Sequence, residues 1–204
     1  MISNKKLRAK ARDQLRGKWT GPVVATLINV VIMVPVTNIP YVGGGLGLIL
    51  SGPLLLGFSQ YFLNLKRGNN PKLEDVFSGF RNLGSSIALY FIMLIFILLW
   101  SLLLIIPGII AGIRYSMSFY VLCDNPDCGA MNALNKSKEL MKGNKMQLFL
   151  LWLSFLGWAV CCIFTFGIGF LWLIPYINLS MVHFYEEMTA VLAGNSPAED
   201  LSKA

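Results

Sequence analysis

A single histidine stands among 204 residues, and its scarcity removes most metal-site and acid–base schemes. Charged residues are scarce too, at 13% of the chain, roughly half the usual share of soluble domains. A soluble chain of this length would need more polar surface. Three catalytic signatures are missing: the Walker loop, H-E-x-x-H and G-x-S-x-G. Gly43-Gly44-Gly45 lacks the strand and helix context of a phosphate cradle. The four cysteines offer little chemistry. Cys161 and Cys162 lie in an apolar run and read as small hydrophobes. Cys123 and Cys128 lack a second pair or a nearby His. No small-x-small cleavage site follows the apolar run Val23 to Val36, which therefore reads as a retained span. No catalytic constellation remains, so the chain reads as a non-enzyme with no cofactor and no metal.

Hydrophobic residues, at 55%, dominate instead. A helix that crosses a bilayer needs about 20 mostly apolar residues. Six candidate spans cover about 22–39, 46–65, 83–106, 109–122, 146–166 and 171–192. The third is the strongest, with no charge from Leu89 to Ile106. Positive charge is sorted between these spans. Residues 1–18 hold seven Lys and Arg, residues 66–82 hold four and residues 123–145 hold four. The turns at 37–46, around Pro107 and at 165–176 hold none. Basic loops stay in the cytoplasm, so the alternation predicts both termini inside and the neutral turns outside. The net charge of +7 lies beside apolar spans, which points to anionic lipid headgroups and away from nucleic acid.

The basic segments are patterned. In residues 1–18, Leu7, Ala11 and Leu15 recur on one helical face with Lys and Arg on the others. Leu73, Val76, Phe77 and Phe80 form a second stripe, and Met131, Leu134, Leu140 and Met141 a third. Gly17, Gly79 and Gly143 read as left-handed helix stops. They lie 62 and 64 residues apart, and the pairs Ile39-Pro40, Ile106-Pro107 and Ile174-Pro175 lie 67 and 68 apart. That spacing fits three parallel repeats of about 64 residues. It equally fits the punctuation that any membrane hairpin needs, because the Gly-to-Pro interval drifts from 23 to 28 to 32 residues. The fold class expected is all-α: one polytopic membrane domain over 1–204, with six transmembrane helices as three hairpins and amphipathic cytoplasmic surface helices.

Ionisable groups inside a membrane are costly and therefore functional suspects. Arg114 is the clearest, as an anion or lipid-phosphate ligand or as a structural cation paired with a carboxylate or turn carbonyls. Arg16, Lys18, Lys142 and Lys145 are the candidate lipid contacts beside the glycine bends. His183 and Glu187 lie four apart and share a helical face, as an intramembrane metal or proton-relay pair would. The polar-then-aromatic segments Ser59-Gln60-Tyr61-Phe62, Ser116–Tyr120 and Ser180–Tyr185 line a cavity or close-pack between helices. Gly108-x3-Gly112 fits a helix-contact motif.

Several stretches resemble one family. They are Ile106-Pro107-Gly108-Ile109-Ile110, Arg114-Tyr115-Ser116-Met117, residues 137–145, Leu153–Trp158, Pro175-Tyr176 and Phe184-Tyr185. The chain resembles the bacterial integral-membrane family called domain of unknown function 975, common in Gram-positive bacteria. That family is distantly similar to the membrane portion of some glycerophosphodiester phosphodiesterases. The resemblance implies a multi-pass protein of the bacterial cytoplasmic membrane and transfers no catalytic residue. Two functions are expected from these readings. One is an accessory or structural membrane protein that binds lipids or a membrane-protein partner. The other is a small-solute or ion transporter or channel with Arg114 near a cavity.

Overall fold

The computed structural model describes residues 3–39, 43–165 and 167–194. Among these, all regular structure is helical. The α-helices are α1 (Asn4–Leu15), α2 (Thr20–Thr37), α3 (Gly43–Lys66), α4 (Leu83–Leu103), α5 (Ile105–Tyr115), α6 (Ser118–Asp124), α7 (Ala130–Leu140), α8 (Lys145–Phe164) and α9 (Phe170–Leu192). Short 3-10 helices cover Leu73–Asn82 and Pro126–Cys128. Five helical stretches are long and apolar enough to cross a membrane: Thr20–Thr37, Gly44–Lys66, Leu73–Leu103, Ile105–Asp124 and Lys145–Phe164. Pro40, Tyr41 and Val42 of the first neutral turn lie outside the described residues, as do Phe166 of the third turn and the C-terminus expected in the cytoplasm.

The first basic segment forms α1. Ser3 caps it, its Oγ accepting from the Lys6 amide at 3.4 Å, and Gly17 leaves it with φ 78°. Leu7, Ala11 and Leu15 are buried as the stripe predicts, but against α9 rather than lipid. The apolar face of α1 is thus occupied by α9 of the same chain. The cations of the other faces, Lys5, Lys6, Lys10, Arg12 and Arg16, remain exposed.

The second basic segment departs from the sequence reading. Gly79 does not end a helix. It lies buried inside the 3-10 helix Leu73–Asn82, where that element crosses α3 backbone to backbone. A methyl on Gly79 would overlap the carbonyl oxygen of Pro53, and one on Gly57 would overlap that of Val76. Slightly further along, a methyl on Gly52 would lie 2.6 Å from the Ser86 carbonyl oxygen. Glycine is needed here for proximity, not for handedness.

The fourth apolar run is two helices. The chain turns at Ser116-Met117 between α5 and α6, and α7 fills the break. Buried Ser137 of α7 donates from Oγ to the Arg114 carbonyl at 2.8 Å and accepts from the Met117 amide at 3.2 Å. One hydroxyl thus satisfies two of the backbone groups freed by the break. Ser137→Ala should destabilise the protein by about 1–3 kcal/mol, because two peptide groups lose their partner in a dry site. Equilibrium unfolding in detergent checks this. A cost under about 0.5 kcal/mol would mean that water reaches the break.

Burial separates inner from outer helices. Over the membrane-length windows, 56% of residues are buried in Gly44–Lys66 and in Ile105–Asp124, against 11–22% in the other three. The exposed side chains of α2, α4 and α8 are largely Leu, Ile, Val, Phe and Trp. Leu102 to Ile106, the tip between α4 and α5, are all exposed. Apolar surface of this extent is far beyond what soluble monomers carry. The two helices meet tightly below that tip, where a methyl on Gly108 would overlap the Ser101 hydroxyl, whereas Gly112 faces open space. The contact motif therefore works through its first glycine alone.

Candidate functional site

The basic segments converge at one end of the helices, around the close of α3. Lys66 and Arg67 end that helix. Lys66 pairs with Glu186 of α9, and Arg67 Nε donates to the same carboxylate at 3.1 Å. The other edge of the Arg67 guanidinium reaches Asp124 at the close of α6, with Nη1 and Nη2 donating to its two oxygens at 2.8 and 3.0 Å. Tyr185 donates to the same Asp124 at 2.8 Å. A planar fork with five donors suits such a double engagement, which lysine could not make. Donation to Asp124 holds Arg67 more firmly protonated than a free arginine, against the opposing effect of burial.

Gln14 ties α1 to this assembly. Its Nε2 donates to the carbonyls of Leu65 and Lys66 at 2.8 and 3.2 Å. Its Oε1 lies 3.0 Å from His183 Nε2. Because the amide nitrogen of Gln14 already donates, its oxygen accepts, and His183 carries its proton on Nε2. His183 and Glu187 share a face as the spacing predicts, and both are buried. With Lys10, Lys66 and Glu186 they line a cleft of about 410 Å³. Its two lysines, histidine and two carboxylates already balance one another in part through the Lys66–Glu186 pair.

A second cleft, of about 350 Å³, lies between α1, α8 and α9. Trp158, Cys162, Trp172 and Leu173 form its apolar walls, and Arg12, Trp19 and Tyr176 stand at the α1 end. The Tyr176 hydroxyl donates to the Arg8 carbonyl at 3.3 Å, which fixes that end to α1. The arrangement is an apolar slot with a cation at one end. Apolar walls with one positive charge beside them suit an amphiphile that carries an anionic head.

The remaining sequence candidates fall in three places. Arg16 and Lys18 are exposed on either side of Gly17. Lys142 is exposed and Lys145 half-buried beside Gly143, which has φ 85°. Arg114 ends α5, where α7 holds its carbonyl, so it sits at the same end as the third basic segment and not near the tip at Pro107. It forms no ion pair among the described residues and lines neither of these two clefts. Its neighbour Lys138 instead lies over the rings of Tyr115 and Phe96, at 5.7 and 5.8 Å.

Sequence reasoning missed Asp124 and its pairing with Arg67, and gave Arg12 no role of its own. Asp124 and Glu186 are two of only ten acidic residues, and that rarity was the available signal.

The family described as "Protein of unknown function (DUF975)" matches residues 1–108 and 102–191. The chain belongs to this family. The stretch Arg114–Met117, which falls within the second matched segment, is the break that α7 closes, and Ser137 supplies the closing hydroxyl. No curated protein and no solved structure matches.

Proposed function

We propose that the chain is a non-catalytic, multi-pass accessory protein of the bacterial cytoplasmic membrane that binds anionic phospholipid and, through its basic face, a membrane-protein partner. α9 is the sixth span, the helices pair as three hairpins, and both termini lie in the cytoplasm. The observation that carries this reading is the apolar tryptophan slot with Arg12 at its rim, below the exposed cations of α1. The slot takes acyl chain, and the rim and α1 take the headgroup.

Native mass spectrometry of detergent-purified protein tests it. Phosphatidylglycerol should be retained several-fold over phosphatidylcholine. The combined change of Arg12, Arg16, Lys18, Lys142 and Lys145 to Gln should abolish that preference. Equal retention of the two lipids by the wild-type protein would defeat the reading. In that case uptake of a radiolabelled solute into proteoliposomes would favour the transporter alternative around Arg114.

A further inference from the structure

A third cleft, separate from the tryptophan slot, lies where α1 hands over to α2. It measures about 320 Å³, and Lys18, Thr20, Gly21, Tyr61, Gly68 and Asn70 are among its lining residues. No carboxylate lines it. α2 starts here without any side-chain cap; Pro22 has no N–H and the Val23 amide bonds the Trp19 carbonyl, so Thr20 and Gly21, both at the cleft, carry the uncapped amides. Lys18 stands exposed at the same corner.

Tyr61 supplies the decisive observation. It belongs to the interior of α3 and is only 2% exposed. Its ring is fixed edge-on against Phe62, with centroids 5.4 Å apart. Nothing among the described residues hydrogen-bonds its hydroxyl, yet that hydroxyl borders the cleft at the start of α2. The hydroxyl opens on the cleft, so whatever occupies the cleft is its partner. Gly21 makes the placement possible: a methyl there would lie 2.7 Å from the Tyr61 oxygen and would push it away. Asp75, the carboxylate on the nearby 3-10 helix, is engaged by Asn64 Nδ2 and the Lys72 amide, each at 3.2 Å. A lone hydroxyl donor, the two uncapped amides of Thr20 and Gly21 and an ammonium group border one space. All three favour an oxyanion.

We propose that this cleft binds the phosphate oxyanion of a phosphate mono- or diester, at the level where phospholipid headgroups meet the first span. Free inorganic phosphate offers the same chemistry, and the experiment separates the two sources. The proposal rests on the lipid-binding reading above and narrows it to one site.

The test uses the full chain in phospholipid-free detergent, titrated with dihexanoyl phosphatidylglycerol, with glycerophosphoglycerol and with inorganic phosphate. Binding is read by native mass spectrometry and by the rise in unfolding temperature. Tyr61→Phe deletes one oxygen and keeps the ring, so its unliganded unfolding temperature should stay close to wild type. Its affinity for the bound phosphate species should fall about tenfold, the usual effect of one lost bond to a charged group. Lys18→Gln, at an exposed position, should fall similarly and carries the test if Tyr61→Phe fails to fold. Binding of both lipid and free headgroup, or of phosphate alone, identifies the source and upholds the site. Wild-type affinity in both variants overturns it. If phosphatidylglycerol is then still preferred over phosphatidylcholine, the site alone has failed. Loss of that preference in the wild-type protein removes the wider reading as well.

Discussion

Gly57→Ala should leave little folded protein. The added methyl would occupy the space of the Val76 carbonyl oxygen, and neither partner is a flexible side-chain end. Both belong to backbones, one in α3 and one in the 3-10 helix Leu73–Asn82. The two elements would have to separate along the crossing where Gly79 meets Pro53. Overpacking in a rigid site costs about 3 kcal/mol, and a backbone overlap lies at or above that value. Gly79→Ala should do the same. Gly112→Ala is the internal control, because nothing lies within 4 Å of its added methyl. Within a helix that change is neutral or stabilising by up to about 1 kcal/mol. Size-exclusion profiles and unfolding in detergent measure all three variants. A well-folded Gly57→Ala protein would mean that the 3-10 helix does not sit against α3 as described.

Arg67→Ala should have the next largest effect, because it strips a partner from Asp124 and from Glu186 together. The site is partly exposed, with 39% of the Arg67 side chain accessible, so the Coulombic part is discounted. A loss of about 2 kcal/mol at low salt is expected, chiefly because Asp124 is left with Tyr185 alone and Glu186 with Lys66 alone. The loss should shrink at high ionic strength, where the wild-type network is itself weakened by screening. Arg67→Lys should recover less than half, since an ammonium cannot donate along two edges at once. The measurement is unfolding of the three proteins at two salt concentrations. A salt-independent loss would assign the effect to packing of the Arg67 stem instead.

The sequence discloses those parts of this molecule that periodicity encodes. Leu7, Ala11 and Leu15 announce a buried stripe, and the structure buries each of them. The stripe does not say what will cover it, and α9 rather than lipid does so. Gly17 and Gly143 reveal their left-handed stops, because backbone handedness is a local property. Gly79 looks the same in sequence but serves a contact with residue 53, which no local pattern can reveal. Arg114 reads as an intramembrane charge because the apolar runs on either side of it hide the break at Ser116-Met117. Ser137 explains that break only once α7 is seen to fill it. Tyr61 was visible within a polar-aromatic segment. Its lack of a hydrogen-bond partner depends on Gly21, forty residues earlier, and so required the fold.

The seating of α1 on α9 sets an order of assembly. A ribosome delivers α1 well before its partner α9, with α2 to α8 in between. Until residues 170–192 emerge, Leu7, Ala11 and Leu15 have no protein to cover them, and Arg67 waits 119 residues for Glu186. Long-range closures of this kind come late and leave apolar surface open in the meantime. For the nascent chain, an amphipathic first helix with free cations can rest on the lipid surface during that interval. On the lipid-binding reading, the same stripe serves two neighbours in succession: the bilayer at first, and α9 once it has been made.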